Sequence, residues 1–474
     1  MAVWSNDTSG QILSIFCKFH HSEIIMSLTT KTELQQQEQI LKDAVQTALQ
    51  LAEKAGATAE VGVTKVAGLS VSTRLEQIEN IEFNNDGSLG ISVYLGKRKG
   101  NASTSDLQPK SIQQAVESAL AIAKYTSEDD CTGLADQSLM AFDAPHLDLY
   151  HQAEIDVDQA VQLAIEAEHH ALNADENIVN SEGATFNSHS GIRVYGNTHG
   201  MLQSYLSSRY SLSCSVISAY QDQLERDYEY TISRRFDQLA TPEWVGKQAA
   251  IKAVDRLNPQ QLPTCEVPVI FYNDVATGLV GHLAGAISGG ALYRKSSFLL
   301  DKLGEQILPN WFEIVERPHL LQQLASSPFD SEGVITQNRN IITDGILQTY
   351  LLTSYSAKKL GLQTTGHAGG IHNWLVKPNR TGGLQTLLNE MGTGLLVTEM
   401  LGSAINGVTG EYSRGAAGFW VENGEIAYPV AEITIAGQLQ EMYKNLVAVG
   451  DDIEHRSNIQ TGSILLDKMK ISGM

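Results

Sequence analysis

The sequence predicts an α+β chain in two domains: an N-terminal mixed α/β domain over residues 33–258, and a C-terminal, mainly β, barrel-like domain with a few helices over 264–474. Three observations carry that expectation. At 474 residues the chain is too long for one hydrophobic core. Its first half alternates apolar stripes of helical spacing with short runs of period two. Its second half contains a glycine-punctuated block, Gly392–Gly437, in which nine glycines separate the short apolar runs Leu395–Thr398, Phe419–Val421 and Ile433–Ile435. Each glycine would cost roughly 1 kcal/mol against alanine inside a helix, so the block reads as turn-dense β structure.

Residues 1–32 are expected to be a disordered or mis-called N-terminal extension. The opening MAVWSNDTSGQILSIFCKFHHSEII lacks the basic start, long apolar centre and small-residue cleavage site of a signal peptide, and Met26 heads a more natural start. A helix follows, with Ile40, Ala44, Val45, Ala48, Leu49 and Ala52 on one face and Gly56 closing it. Strand-like runs come next at Glu60–Val66, Leu69–Arg74 and Gly90–Leu95, then a helical stripe over Ser111–Lys124. A less ordered connector, Ser127–Leu149, leads to a helix over Val157–Leu172. Gly90–Tyr94 (GISVY) is echoed by Gly191–Tyr195 (GIRVY), each preceded by an Asn-containing turn at Asn84-Asn85 or Asn187. This is either an internal repeat or convergent strand composition. Thr241 and Pro242 open another helix as N-cap and first helical residue. Asn258–Pro263 reads as the linker, and Val267–Tyr272 as a buried strand before a glycine-rich helix. Asp344-Gly345 and Asn423-Gly424 mark two tight hairpins, because a type I′ turn needs positive φ at both central residues.

A formal charge of −21 argues against sequence-independent binding to nucleic acid, which needs a cationic surface. The short run Lys97-Arg98-Lys99 reads as a solvated hairpin end. Four scattered cysteines without CxxC spacing fit free thiols in a reducing, cytoplasmic compartment. No apolar run approaches the 18 or so residues of a membrane span. Nor is there a Gly-x-Ser-x-Gly elbow, a P-loop or a dinucleotide fingerprint.

Chemistry concentrates in three places. Asp274–Leu292, DVATGLVGHLAGAISGGAL, sets His282 among Gly278, Gly281, Ala284, Gly285, Ser288 and Gly289, which suggests a helix packed closely on neighbouring backbone. His282 is then a packed core histidine, or a ligand or substrate contact. Gly366–Asn373 places His367 and His372 on a glycine-rich loop that could hold a metal, admit a peptide to the main chain, or simply be solvated. Arg294 and Arg414 could grip a peptide carboxylate through a bidentate fork, with an internal pair to Glu411 or Glu399 as the alternative. The candidate substrate contacts are therefore Arg294, His367, His372, Asn373 and Arg414. No metal site is assigned.

The glycine block Gly392–Gly437, with the sequence through residues 265–450 and more loosely back to about residue 33, resembles the TldD/PmbA family and more specifically its PmbA (TldE) branch. In the TldD branch an H-E-x-x-x-H motif supplies two zinc-binding histidines and a glutamate base. Laying Gly281-His282 on its last two residues puts Thr277 at the first histidine and Gly278 at the glutamate. A catalytic zinc normally takes three protein ligands and a base for its water. Thr277 is a poor ligand, Gly278 cannot accept a proton, and no cysteine follows Cys265. Residues five apart also sit about 140° apart on an ideal helix. The resemblance thus implies a PmbA/TldE-like subunit of a cytoplasmic zinc-dependent peptidase with no confident catalytic residue and no cofactor of its own. Zinc would sit in a TldD-like partner, the heterodimer would enclose a chamber for small or unfolded peptides, and homodimers are left open. The alternatives are an autonomous metallopeptidase using His282, His367 and His372, or a non-enzymatic regulator such as a modulator of DNA gyrase or carbon-storage regulation.

Overall fold

The computed structural model describes residues 31–402 and 404–473. The expected extension lies outside these residues, apart from Lys31 and Thr32, which open the first helix. The N-terminal half runs α1 (Lys31–Lys54), β1 (Thr58–Arg74), β2 (Gln77–Leu95), β3 (Arg98–Thr104) and α2 (Pro109–Tyr125). It then repeats that order as α3 (Val157–Leu172), β4 (Ile178–Asn197), β5 (Leu202–Tyr220), β6 (Gln223–Ser233) and α4 (Pro242–Asp255). The six strands form one sheet, β3-β2-β1-β4-β5-β6, with β1 and β4 antiparallel at its centre. The GISVY and GIRVY segments flank β1 from either side, Gly62 pairing with Gly90 and with Tyr195. The repeated element order supports the repeat reading. In both halves a glycine lets a helix close in: a Cβ on Gly100 would sit 2.0 Å from Ala119 O, and one on Gly246 would sit 2.0 Å from Ala167 O.

Two local expectations are corrected. The separate runs in residues 60–95 are two long strands, and Asn84, Asn85 and Asn187 lie within strands, paired across β1, rather than in turns. The turn between β1 and β2 is Leu75-Glu76, both at positive φ (51° and 60°). Neither residue advertises such a turn. The stabilising partner comes from far along the chain: the Glu168 carboxylate of α3 accepts the N–H groups of Leu75 (2.6 Å) and Glu76 (2.9 Å).

The C-terminal half contains β7 (Cys265–Phe271), α5 (Asn273–Ala286), α6 (Gly289–Tyr293), β8 (Ile314–Glu316), β9 (Arg339–Thr343), β10 (Ile346–Leu347), α7 (Ser354–Leu360), β11 (Trp374–Val376), α8 (Gly383–Met391) and β12 (Gly394–Leu401). It ends with β13 (Glu411–Glu422), β14 (Glu425–Gln438), α9 (Leu439–Lys444), β15 (Leu446–Val449), β16 (Ile459–Gln460) and β17 (Ile464–Ser472). Strands β14-β13-β12-β7-β17 form a sheet that closes on itself when β14 pairs with β17 through Thr434 and Ser472, a five-stranded barrel. A second sheet, β10-β9-β8-β11-β16, packs beside it. Both predicted hairpins form, with positive φ at Asp344 (50°), Gly345 (74°), Asn423 (54°) and Gly424 (80°). The glycine block therefore supplies three of the five barrel strands, and the α+β, barrel-like expectation holds. Among the described residues no helix is long and apolar enough to cross a membrane.

Candidate functional site

Helix α5 leaves the end of β7 and sends Ala276, Leu279, Val280, Leu283 and Ala286 into the barrel core. Tyr443 locks that face by donating its hydroxyl to Leu279 O at 3.0 Å. The opposite face carries only small residues, and Thr277, Gly278, Gly281 and Ala284 form one wall of a cavity of about 590 Å³. Ser288–Gly290, Leu351, Thr353, the loop residues His367, Gly370 and Ile371, and Ser457–Ile459 complete it. The structure thus brings Thr277, Gly278 and His367 to one space.

His282 is not part of it. Five residues from Thr277, it turns onto another flank and meets the Tyr412 ring edge-on at 5.9 Å. Its Nε2 is buried without a partner, and burial, followed by the nearby charge of Arg414, holds its pKa below the ordinary value. Thr277 spends its hydroxyl on Asp274 O at 2.7 Å. Gly278 faces open space: a Cβ there would meet nothing within 4 Å. A committed hydroxyl, an absent side chain and a histidine on another flank do not make a zinc donor set. Among the described residues no three His, Cys, Asp or Glu side chains are grouped to hold a metal ion.

His367, His372 and Asn373 are 5%, 8% and 0% exposed, so their loop is a buried one. Its organiser is Glu316 on β8, which the sequence reading missed. The His367 Nε2–H donates to Glu316 Oε2 at 2.8 Å, while the His372 N–H and Trp374 Nε1–H donate to Oε1 at 2.8 and 3.2 Å. Thr365 Oγ1 fixes the other side of the His367 ring, 2.8 Å from Nδ1. Burial pushes the Glu316 carboxyl up, but the His367 hydrogen bond and charge and the His372 amide outweigh it, and the pKa lies below its ordinary value. Burial also lowers the His372 pKa, against the pull of Glu316. Asn373 donates to Arg317 O (3.0 Å) and Ser326 Oγ (2.7 Å). These groups shape the cavity from behind. The one available sequence signal was an acid on the inward face of an otherwise apolar triplet, Ile314-Val315-Glu316.

The two arginines differ. Arg294 is exposed at the cavity edge, with its guanidinium 5.3 Å from the Tyr293 ring centre and Nη1 donating to Tyr293 Oη at 3.2 Å. Arg414 points its Nε into a buried position with no partner. The internal pair proposed for Arg414 does not form with Glu399, whose carboxylate takes Arg256 at 2.5 Å.

A charged network also escaped the sequence reading. Arg456 reaches Glu229 Oε1 (2.5 Å), Glu454 Oε2 (2.5 Å) and Asp274 Oδ1 (3.2 Å), and its guanidinium lies 4.2 Å from the Tyr230 ring centre. Lys252 adds a bond to Glu229 at 2.8 Å. β6 and α4 of the first half are thereby tied to the first turn of α5 and to the segment that borders the cavity. A larger cavity, about 890 Å³, lies among α1, residues 144–153 and residues 204–206. It holds none of the predicted site residues.

Residues 59–123, 150–257 and 264–473 match the PmbA/TldA metallopeptidase domain 1, central domain and C-terminal domain, respectively. The chain is 73% identical over 440 residues to a metalloprotease PmbA homolog of Haemophilus influenzae, covering 93% of this chain and 98% of that one. It is 58% identical over 450 residues to metalloprotease PmbA of Escherichia coli O157:H7, covering 94% and 100%. In solved structures it resembles a candidate modulator of DNA gyrase from Bacteroides thetaiotaomicron, with a TM-score of 0.86, 27% identity, and coverage of 91% and 99%.

Proposed function

The chain belongs to the PmbA/TldD metallopeptidase family, and from that premise we propose that it is the substrate-shaping subunit of a cytoplasmic zinc-dependent peptidase. A TldD-like partner would hold the metal. The observation that carries this reading is the open face of α5: where the TldD branch places a ligand and a base, this chain has Thr277, bonded to its own helix, and Gly278, beside a cavity. Zinc bound by the partner would supply the water that attacks a peptide carbonyl. This chain's part is to hold the peptide. Glycines at 278 and 370, where a Cβ would meet nothing within 4 Å, keep the walls low, so an extended main chain can lie close to protein backbone. Glu316 and the buried loop of His367 keep one wall rigid behind it.

Metal analysis and peptide hydrolysis by this chain, alone and mixed with a TldD-like protein from the same genome, test the proposal. The expected result is no stoichiometric zinc and no hydrolysis alone, and both in the mixture. One zinc per isolated chain, lost on His282→Ala or His367→Ala, would instead establish an autonomous metallopeptidase. Failure of any complex to form, with hydrolysis never depending on this chain, would sink the subunit reading and favour a regulator.

A further inference from the structure

The cavity beside α5 is electrically unlike the rest of the molecule. The chain carries 54 acidic residues, yet among the described residues no Asp or Glu lines this space. His367, the one titratable side chain among the described lining residues, is already bonded to Glu316. At the edge stands Arg294, exposed, with no carboxylate in ion-pair reach among the described residues.

Arg294 is held in place. Its Nη2 lies 3.3 Å from where a Cβ on Gly290 would stand, so the guanidinium rests against the backbone of a residue that lines the cavity. Its other flank packs on Tyr293, whose ring meets Tyr355 edge-on at 5.7 Å. A pre-positioned guanidinium loses little freedom on binding and presents a planar fork that fits a carboxylate. The space behind it is narrow-walled but empty, since a Cβ on Gly278 or Gly370 would meet nothing within 4 Å. Its volume of about 590 Å³ suits a short segment of extended chain.

We propose that this cavity receives the C-terminal end of an extended peptide and that Arg294 takes its terminal carboxylate. The inference rests on the peptide-holding role proposed above. A single fork favours a carboxylate over a phosphate group, whose larger charge is usually met by several donors. Arg294 acts here as a specificity-determining contact, away from the reacting atoms.

The test uses the full chain, alone and with its TldD-like partner, and an N-terminally labelled Ala-Gly-Ala-Gly-Ala peptide made as the free acid and as the amide. Fluorescence anisotropy should show the acid binding about ten-fold more tightly, as expected for a charge-assisted bond. Arg294→Gln should abolish that preference by bringing the acid down to the affinity of the amide, with the melting temperature unchanged. Gly278→Leu should weaken both peptides. Equal binding of acid and amide to the unaltered chain, or a preference that survives Arg294→Gln, overturns the carboxylate contact while a Gly278→Leu loss still supports a peptide cavity. If neither peptide binds in any mixture, both readings fall.

Discussion

The Glu316 carboxylate and the His367 Nε2 meet at 2.8 Å, with each side chain only 1% exposed. Three N–H groups converge on that one carboxylate, from His367, His372 and Trp374. Removing the acceptor leaves three buried donors unsatisfied, so Glu316→Ala should cost about 3–5 kcal/mol. Glu316→Gln keeps the shape and an acceptor oxygen and should cost less, about 1–2 kcal/mol. Denaturant titrations of the three proteins check the order. The pKa of Glu316 is depressed in the fold, so its contribution is complete above the ordinary carboxylate range and is lost as pH falls through the folded value. The gap between wild type and Glu316→Gln should therefore narrow in acid.

Asp274, at the start of α5, titrates in the opposite sense. Burial, then the hydrogen bond and charge of Glu454, push it up to about 6. Burial alone would raise Glu454 too, but the Arg456 and Asp274 bonds hold it down at about 2. A raised carboxyl holds its proton more tightly folded than unfolded. Its contribution is thus complete below about pH 4 and is lost as pH rises through 6, whereas that of Glu454 is lost only as pH falls below its ordinary range toward 2. Asp274→Asn cannot ionise and should melt progressively higher than wild type between pH 4.5 and 7.5. The gain should be about 1 kcal/mol, because Asp274 keeps about a third of its side chain in solvent. Calorimetry of both proteins across that range cancels the background from the histidines. A constant difference with pH would refute the assignment.

Local signals in the sequence carried the helices and the hairpins well. The Asp344-Gly345 and Asn423-Gly424 turns formed because their chemistry is contained in two residues. The Leu75-Glu76 turn was illegible because Glu168, 92 residues beyond Glu76, supplies its acceptors. The barrel-like character was legible but the closing pair was not, since β14 and β17 meet only after the chain has passed through α9 and two short strands. At the site, the family resemblance singled out Thr277, Gly278 and His282, and helix geometry added only that residues five apart face different ways. Glu316 and the Arg456 network could not be picked out, because a charge's role depends on which distant groups surround it. Burial of the 366–373 loop follows from the same long-range packing.

Glycine separates structural constraint from functional space in this chain, and two alanine substitutions make the distinction measurable. A Cβ on Gly418 would stand 1.9 Å from Leu396 O and 3.0 Å from Val397 Cα, so β12 and β13 could not keep their register where Gly418 pairs with Val397, beside the irregularity between Val397 and Glu399. Gly418→Ala should cost about 3 kcal/mol or yield insoluble protein. Gly278, exposed on α5 with nothing within 4 Å of its missing Cβ, has no such reason to be glycine. Gly278→Ala should raise stability by about 0.5–1 kcal/mol, the helix propensity difference. Thermal melts and soluble yields of the two variants decide the matter. If Gly278→Ala stabilises as expected while peptide binding falls with each larger side chain placed there, then glycine at 278 is kept for the space it leaves open. If it destabilises as much as Gly418→Ala, that wall of the cavity is structural, and the case for a peptide lying against α5 loses its footing.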